Sequence, residues 1–187
     1  LAVREGGAVR MAAGYGVFVA WGDPSESDDV ARLAMPEGKL VSVEAEVMPV
    51  ASGMRLEKAA VLLQMTLSSL NSRKSRDIRI ERLGDDDASQ MLELALLTEP
   101  GPFFENTHRL GDFYGVKEGG RLLAMAGERM KPDSFTEVSG VCVHPDAQGR
   151  GLAAEVMRQV IDAILERGET AFLHSYDHNA RAIALYE

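Results

Sequence analysis

Between Gly151 and Gly168 the apolar residues Leu152, Val156, Met157, Val160, Ile161, Ile164 and Leu165 recur every three or four positions. Residues so spaced share one helix face, so the stretch predicts an amphipathic helix that Gly168 stops. Upstream the period shortens. The runs "DFYGVKE" (112–118), "RLLAMAGERM" (121–130) and "TEVSGVCV" (136–143) predict three successive strands, with Gly119 and Gly120 turning the first two into a hairpin. Before them, "DIRIERL" predicts a strand, and "DDDASQMLELALLTEP" predicts a helix that enters through acids suited to its positive end and stops at Pro100. "FFENTHRL" (103–110) suits a second short helix, and "AFLHSYDH" a strand with its exit.

The first third is less regular. "GYGVFVAW" (14–21) and "KLVSVEAEV" (39–47) predict strands, the latter alternating through Val41, Val43, Ala45 and Val47. "DPSESDDVARLAMPEGK" predicts a short helix stopped by Pro36 and Gly38. Residues 54–67 suit a helix or a buried strand, and strand is preferred. The polar "SSLNSRKSRD" (68–77) has no period and marks a boundary. Arg73, Lys74, Ser75 and Arg76 within it suit either a phosphate patch or a solvated linker, of which the linker is preferred. The expected plan is an α/β chain with a small α/β unit over 1–70, a linker over 71–77 and a second domain over 78–187.

Composition narrows the partners. The 187 residues, 45% hydrophobic and 26% charged, are ordinary for a globular chain of one domain or two small ones. A net charge of -9 argues against binding nucleic acid or an anionic membrane, since both demand a basic face. A single cysteine, Cys142, rules out an internal disulfide and suits a reducing compartment. No apolar run approaches the ~20 residues of a membrane span and the start shows no signal pattern, so a cytoplasmic protein is expected. Because the chain opens on Leu1, a longer native N-terminus is also expected.

Candidate chemistry concentrates in "HPDAQGRGLAAEVM" (144–157), where two glycines flank Arg150 just before the long helix. A helix's first turn leaves about four amides without internal partners at its positive end, and glycines let a ligand approach them. Such a cradle holds phosphate through backbone rather than basic side chains, which an acidic protein can afford; a tight turn that needs glycine only for its conformation is the alternative. A Walker loop is excluded because no Gly-Lys-Ser/Thr follows. A dinucleotide fingerprint is satisfied by Gly149, Gly151 and Ala154, but five residues separate them from the strand and too little chain follows to complete such a domain. A third pattern, Gln-x-x-Gly-x-Ala, is met by Gln148, Gly151 and Ala153.

This last pattern resembles the phosphate loop of the GCN5-related N-acetyltransferase (GNAT) superfamily. "LHSYDHNARAIALYE" resembles the family's next strand and helix, with Asn179, Ala182 and Tyr186 in the matching places. "LTEPGPF", "AMAGERM", "EVSGVCVHP" and "ALYE" are similar to its FR47-like branch, related to glycine N-acyltransferases. The resemblance covers residues 78–187 and only faintly the first third, which could be a degenerate half of the same kind or a small cap with a role in acceptor choice. It implies a central, mostly antiparallel sheet flanked by helices, and further strands beyond Glu187.

The resemblance also implies acetyl-CoA, or another acyl-CoA, as cosubstrate and a primary amine as acceptor. The acceptor is expected to be a small molecule or amino acid rather than a protein, and a homodimer is one option for assembly. Val141, Cys142 and Val143 would offer backbone to the pantetheine arm. Gln148, Gly149, Arg150, Gly151, Leu152, Ala153 and Ala154 would hold the pyrophosphate, and Asn179 the arm from the other side. Tyr186 would protonate the leaving thiolate. Glu137, on the strand leading to the loop, is the favoured base, and His174 its rival. The bland readings are a packed tyrosine and a structural histidine. Metal is not expected: His174 and His178 lie on a strand and its exit, and Asp85, Asp86 and Asp87 suit a charged helix start. Cys142 reads as a buried strand residue rather than a nucleophile. A non-catalytic acyl-CoA sensor and a dinucleotide-dependent oxidoreductase are the alternatives from other classes.

Overall fold

A computed structural model describes residues 1–34, 38–70 and 76–187. The chain forms two compact units, Leu1–Ala59 and Ala60–Glu187. The linker expected at 71–77 is described only at Arg76 and Asp77, and Pro36 lies outside the described residues.

In the first unit, strands β1 (Ala2–Glu5), β2 (Ala8–Met11) and β3 (Val19–Trp21) form an antiparallel meander. A 3-10 turn over Pro24–Glu26 leads into helix α1 (Ser27–Arg32). Its start is well specified: Asp23 accepts from the Ser25 amide at 2.8 Å, and Glu26 reaches back to the Asp23 amide at 3.1 Å. Val30 and Leu33 pack with Ala8, Val19 and Ala51 in a small core. The strand expected over 39–47 is not there. Only Val41 bridges to Phe18, while Val43 and Val47 are exposed, and alternation that no strand pairs along does not by itself make a strand.

The second unit contains β4 (Leu62–Leu67), β5 (Glu81–Leu83), α2 (Ala88–Thr98), β6 (Phe113–Glu118), β7 (Arg121–Glu128), β8 (Phe135–Val143), α3 (Leu152–Glu166), β9 (Thr170–Tyr176) and α4 (Ala180–Tyr186). Its sheet runs β4-β9-β8-β7-β6-β5, antiparallel except for β8 beside β9. The preferred strand over 54–67 is confined to 62–67. It pairs along β9, so it belongs to this unit rather than to one ending at residue 70. The short helix expected over 103–110 is a single 3-10 turn, Thr107–Arg109.

The two faces of the sheet hold different helices. Val156, Val160 and Ile164 of α3 pack on Ala124, Ala126, Val138 and Leu173, and Met91, Leu94 and Ala95 of α2 pack with Phe113, Met125 and Cys142. Ala124 and Ala126 thus face one helix and Met125 the other, as the two-residue period of a strand requires.

Strand β8 departs from regular pairing on both sides. Its pairing with β9 covers only Phe135 to Glu137, although β8 continues to Val143 and β9 to Tyr176. The strands therefore fork, and the backbone of β8 beyond Glu137 has no strand on that side. On the other side, Ser139 pairs with Gly127 but Cys142 with Met125, so β8 carries one extra residue. Gly140 absorbs this bulge at φ +64°, a conformation that other residues adopt only under strain.

Candidate functional site

Past Val143 the chain makes a 3-10 turn over Pro145–Ala147, with the His144 ring nitrogen Nδ1 accepting from the Asp146 amide at 3.1 Å. His144 is thus a turn residue. Gln148 is extended, Gly149 and Gly151 adopt φ +76° and +78°, and α3 begins at Leu152. Gly151 is the N-cap and has no side chain to occupy the first-turn amides. A Cβ on Gly149 would meet nothing within 4 Å, so this side of the loop is open. The loop thus leaves the first turn of α3 without a capping side chain at its positive end, a form that suits a phosphate.

Charges around the loop are arranged by its neighbours. Arg150 is paired with Glu118 of the β6–β7 hairpin, Nη1 to Oε2 at 3.1 Å, and this guanidinium holds the Glu118 carboxyl below its ordinary value. Arg76 reaches over the loop instead. Its Nη1 donates to the Arg150 carbonyl at 2.7 Å, its Nε lies 3.9 Å from the buried Glu155, and a Cβ on Gly151 would run into the Arg76 guanidinium. Of the basic run read from the sequence, this one residue is described, and it sits at the candidate phosphate cradle.

At the root of the fork lies a polar cluster that crosses the sheet. Glu137 is 1% exposed and takes both arms of Arg129, Nε at 2.9 Å and Nη2 at 2.8 Å. Its Oε1 also lies 2.9 Å from Nδ1 of His174, whose Nε2 is 3.3 Å from Oε1 of Gln64 on β4. Burial alone would raise the Glu137 carboxyl, but the hydrogen bonds from His174 and Arg129 prevail and hold it below its ordinary value. A carboxylate so stabilised and enclosed takes up a proton poorly; it is suited to orienting a base rather than to being one. His174, partly exposed and stacked edge-on against Phe172 at 5.6 Å, keeps its second nitrogen toward β4.

The remaining candidates are on the elements expected of them. Tyr186 ends α4 and packs on the core beneath α3; burial raises its hydroxyl, so at neutral pH it keeps its proton. Asn179 caps α4, accepting from the Ala182 amide at 3.2 Å, which leaves its amide NH2 for other partners. Val141 and Val143 are partly buried on the open side of the fork. Cys142 is buried against α2, its thiol pushed up to about 12 by burial, so it is not a nucleophile. Asp87 accepts from the Gly84 amide and Asp85 holds His108 and Arg109, as structural acids do. Among the described residues no group of three or more His, Cys, Asp or Glu could hold a metal, and no helix is long and apolar enough to cross a membrane.

The model of the acetyltransferase (GNAT) family matches residues 79–187. A crystal structure from Novosphingobium aromaticivorans DSM 12444, of a protein assigned to the GNAT family of acetyltransferases, is 43% identical with a TM-score of 0.91, over 100% of this chain and 83% of that one. The chain belongs to the acetyltransferase (GNAT) family. Two more distant structures share the fold of part of this family member. The ribosomal-protein-S18-alanine N-acetyltransferase from Escherichia coli is 24% identical over 58% of this chain and 73% of that one, with a TM-score of 0.51. A GNAT-family acetyltransferase from Colwellia psychrerythraea is 16% identical over 67% and 51%, with a TM-score of 0.53. No curated protein matches.

This chain is accordingly an acyl-CoA-dependent N-acetyltransferase. In this GNAT enzyme, sequence alone points to the loop, Val141 to Val143, Asn179 and Tyr186, and to Glu137 and His174 as rival bases. Arg129 and Gln64 escape such a reading: Arg129 sits in a strand-like run with no distinguishing feature, and Gln64 meets His174 across 110 residues of chain. The Glu137–His174 pairing escapes it too, although a glutamate and a histidine on neighbouring strands are the signal that could have found it.

Proposed function

We propose that the protein transfers an acetyl group from acetyl-CoA to the primary amine of a small molecule or amino acid. The observation that carries this reading is the Arg129–Glu137–His174 cluster at the root of a fork whose far end leads into an open, glycine-lined helix start. The amides of Gly149 to Ala154, with Gln148 and Arg150 shaping the loop and Leu152 anchoring it in the core, hold the pyrophosphate. Arg76 adds a cation there. The edge of Val141, Cys142 and Val143 that faces away from β7 lines the pantetheine arm, and the NH2 group of Asn179 bonds it from the opposite side.

His174 takes the proton. Its Nδ1–H is donated to Glu137, which leaves the Nε2 lone pair to accept from the amine as the nitrogen forms its bond to the thioester carbonyl. Arg129 fixes Glu137 in turn. As the C–S bond breaks, Tyr186 gives its hydroxyl proton to the departing thiolate, and its raised pKa keeps that proton in place until then. The chain's charge of -9 draws in a protonated amine, which releases one proton to solvent before the neutral form attacks, and this favours a cationic small acceptor. The strings "EVSGVCVHP" and "ALYE" support a place in the FR47-like, glycine N-acyltransferase-related branch, and a single buried cysteine supports a cytoplasmic setting.

The test is release of CoA thiol from acetyl-CoA across a panel of amino acids, polyamines, aminoglycosides and peptide N-termini. Turnover with a small amine, lost in Tyr186→Phe, supports the proposal. Undiminished turnover in Tyr186→Phe, or acetylation of peptides alone, contradicts it.

A further inference from the structure

We infer that Gln64, on a strand outside the matched family region of 79–187, is a positioning residue for the acetyl transfer: it receives the proton-bearing Nε2 of His174 once that nitrogen has deprotonated the amine. The inference rests on the reading of His174 as the base.

Both ring nitrogens of His174 have a partner within reach. Nδ1 lies 2.9 Å from a carboxylate oxygen of Glu137 and Nε2 lies 3.3 Å from the carboxamide oxygen of Gln64. A carboxylate accepts, and the carboxamide of Gln64 can offer its oxygen to an Nε2–H or, turned over, its NH2 to an Nε2 lone pair, so this residue can partner the ring before and after the proton moves. On proton transfer the amine loses H⁺, Nε2 gains it, and the N–H so formed needs an acceptor in a partly buried place. Gln64 supplies one. It stands directly opposite His174 in the antiparallel β4–β9 register, so the contact is built into the pairing of the two strands. Among the described residues the groups about the ring are Glu137 from β8 with Arg129 behind it, Phe172 from β9 and Gln64 from β4. Of these, Gln64 alone comes from outside the matched family region and reaches Nε2. Its side chain is exposed, so it can turn aside to let the amine approach and return afterwards.

Two substitutions move the ring in opposite directions. Gln64→Glu places a negative charge beside Nε2 and favours the protonated ring, while Gln64→Leu removes the acceptor and disfavours it. The experiment follows His174 by NMR titration in the ligand-free protein, with His174→Gln to assign the signal, and records the acid-side limb of kcat/KM against pH. The expected result is a limb and an NMR midpoint that move together, up for Glu and down for Leu, with kcat/KM about five- to tenfold lower in Gln64→Leu. Circular dichroism confirms that each variant is folded. If both variants lose stability but leave the limb and the midpoint where they were, Gln64 is merely structural and the inference is overturned. If His174→Gln itself keeps wild-type activity and an unchanged limb, the base reading is what fails, and the inference falls with it.

Discussion

The loop after β8 and the cluster at the root of the β8–β9 fork, which the proposed function joins in one reaction, are built by opposite means. The loop is backbone: Gly149 and Gly151 in left-handed conformations, first-turn amides and the helix dipole. The cluster is side chain: Arg129, Glu137, His174 and Gln64 joined across neighbouring strands. An acidic chain can bind an anion with the first because peptide dipoles add no net charge. In the proposed reading it moves a proton with the second, where buried partners fix a histidine's orientation. Binding and chemistry should therefore fail separately.

Substitutions sharpen that separation, beginning with the largest effect. Tyr186→Phe is expected to lower kcat about a thousandfold while acetyl-CoA still binds with wild-type affinity in calorimetry. His174→Gln should cost about a hundredfold in kcat/KM and remove the acid-side limb of its pH profile, because the base acts only when unprotonated. Glu137→Gln should destabilise the fold by about 3 kcal/mol, measured by urea unfolding, since it leaves Arg129 buried without its carboxylate.

The same residue predicts a pH dependence. The folded-state pKa of Glu137 is held below its unfolded value, so its stabilisation is full above the ordinary carboxylate range. It is lost as pH falls through the folded value, and unfolding at about pH 4 and below should be less steep with pH in Glu137→Gln. Smallest of all, Arg76→Gln should weaken acetyl-CoA binding about fivefold and flatten its salt dependence without changing kcat.

The same contrast governs what the sequence made legible. A loop is local: Gln148 to Ala154 are consecutive, and their spacing before the seven apolar residues of α3 announces both the turn and the helix. A cross-strand cluster is not. Glu137 and His174 are both candidates from sequence, yet as rivals, because only the parallel register that ends at Glu137 and Phe172 brings them within 2.9 Å. Gln64 has no signal, since its strand pairs with a partner far along the chain. Val43 and Val47 err the other way: they alternate in the sequence, yet past the Val41 bridge the segment pairs with no strand among the described residues. The bulge at Gly140 is written in the sequence as a glycine inside a strand, although its effect, re-aiming β8 at the fork, depends on β7 and β9 together.

The most direct test of the account is a calorimetric titration of the protein with acetyl-CoA and, separately, NADH, repeated on Gly151→Val. The account predicts that acetyl-CoA binds, that NADH does not, and that the valine, strained at φ +78° and driven into Arg76, abolishes binding while the core stays folded. Acetyl-CoA binding that survives Gly151→Val, or NADH bound in its place, would contradict the assignment of the loop as the acyl-CoA phosphate cradle.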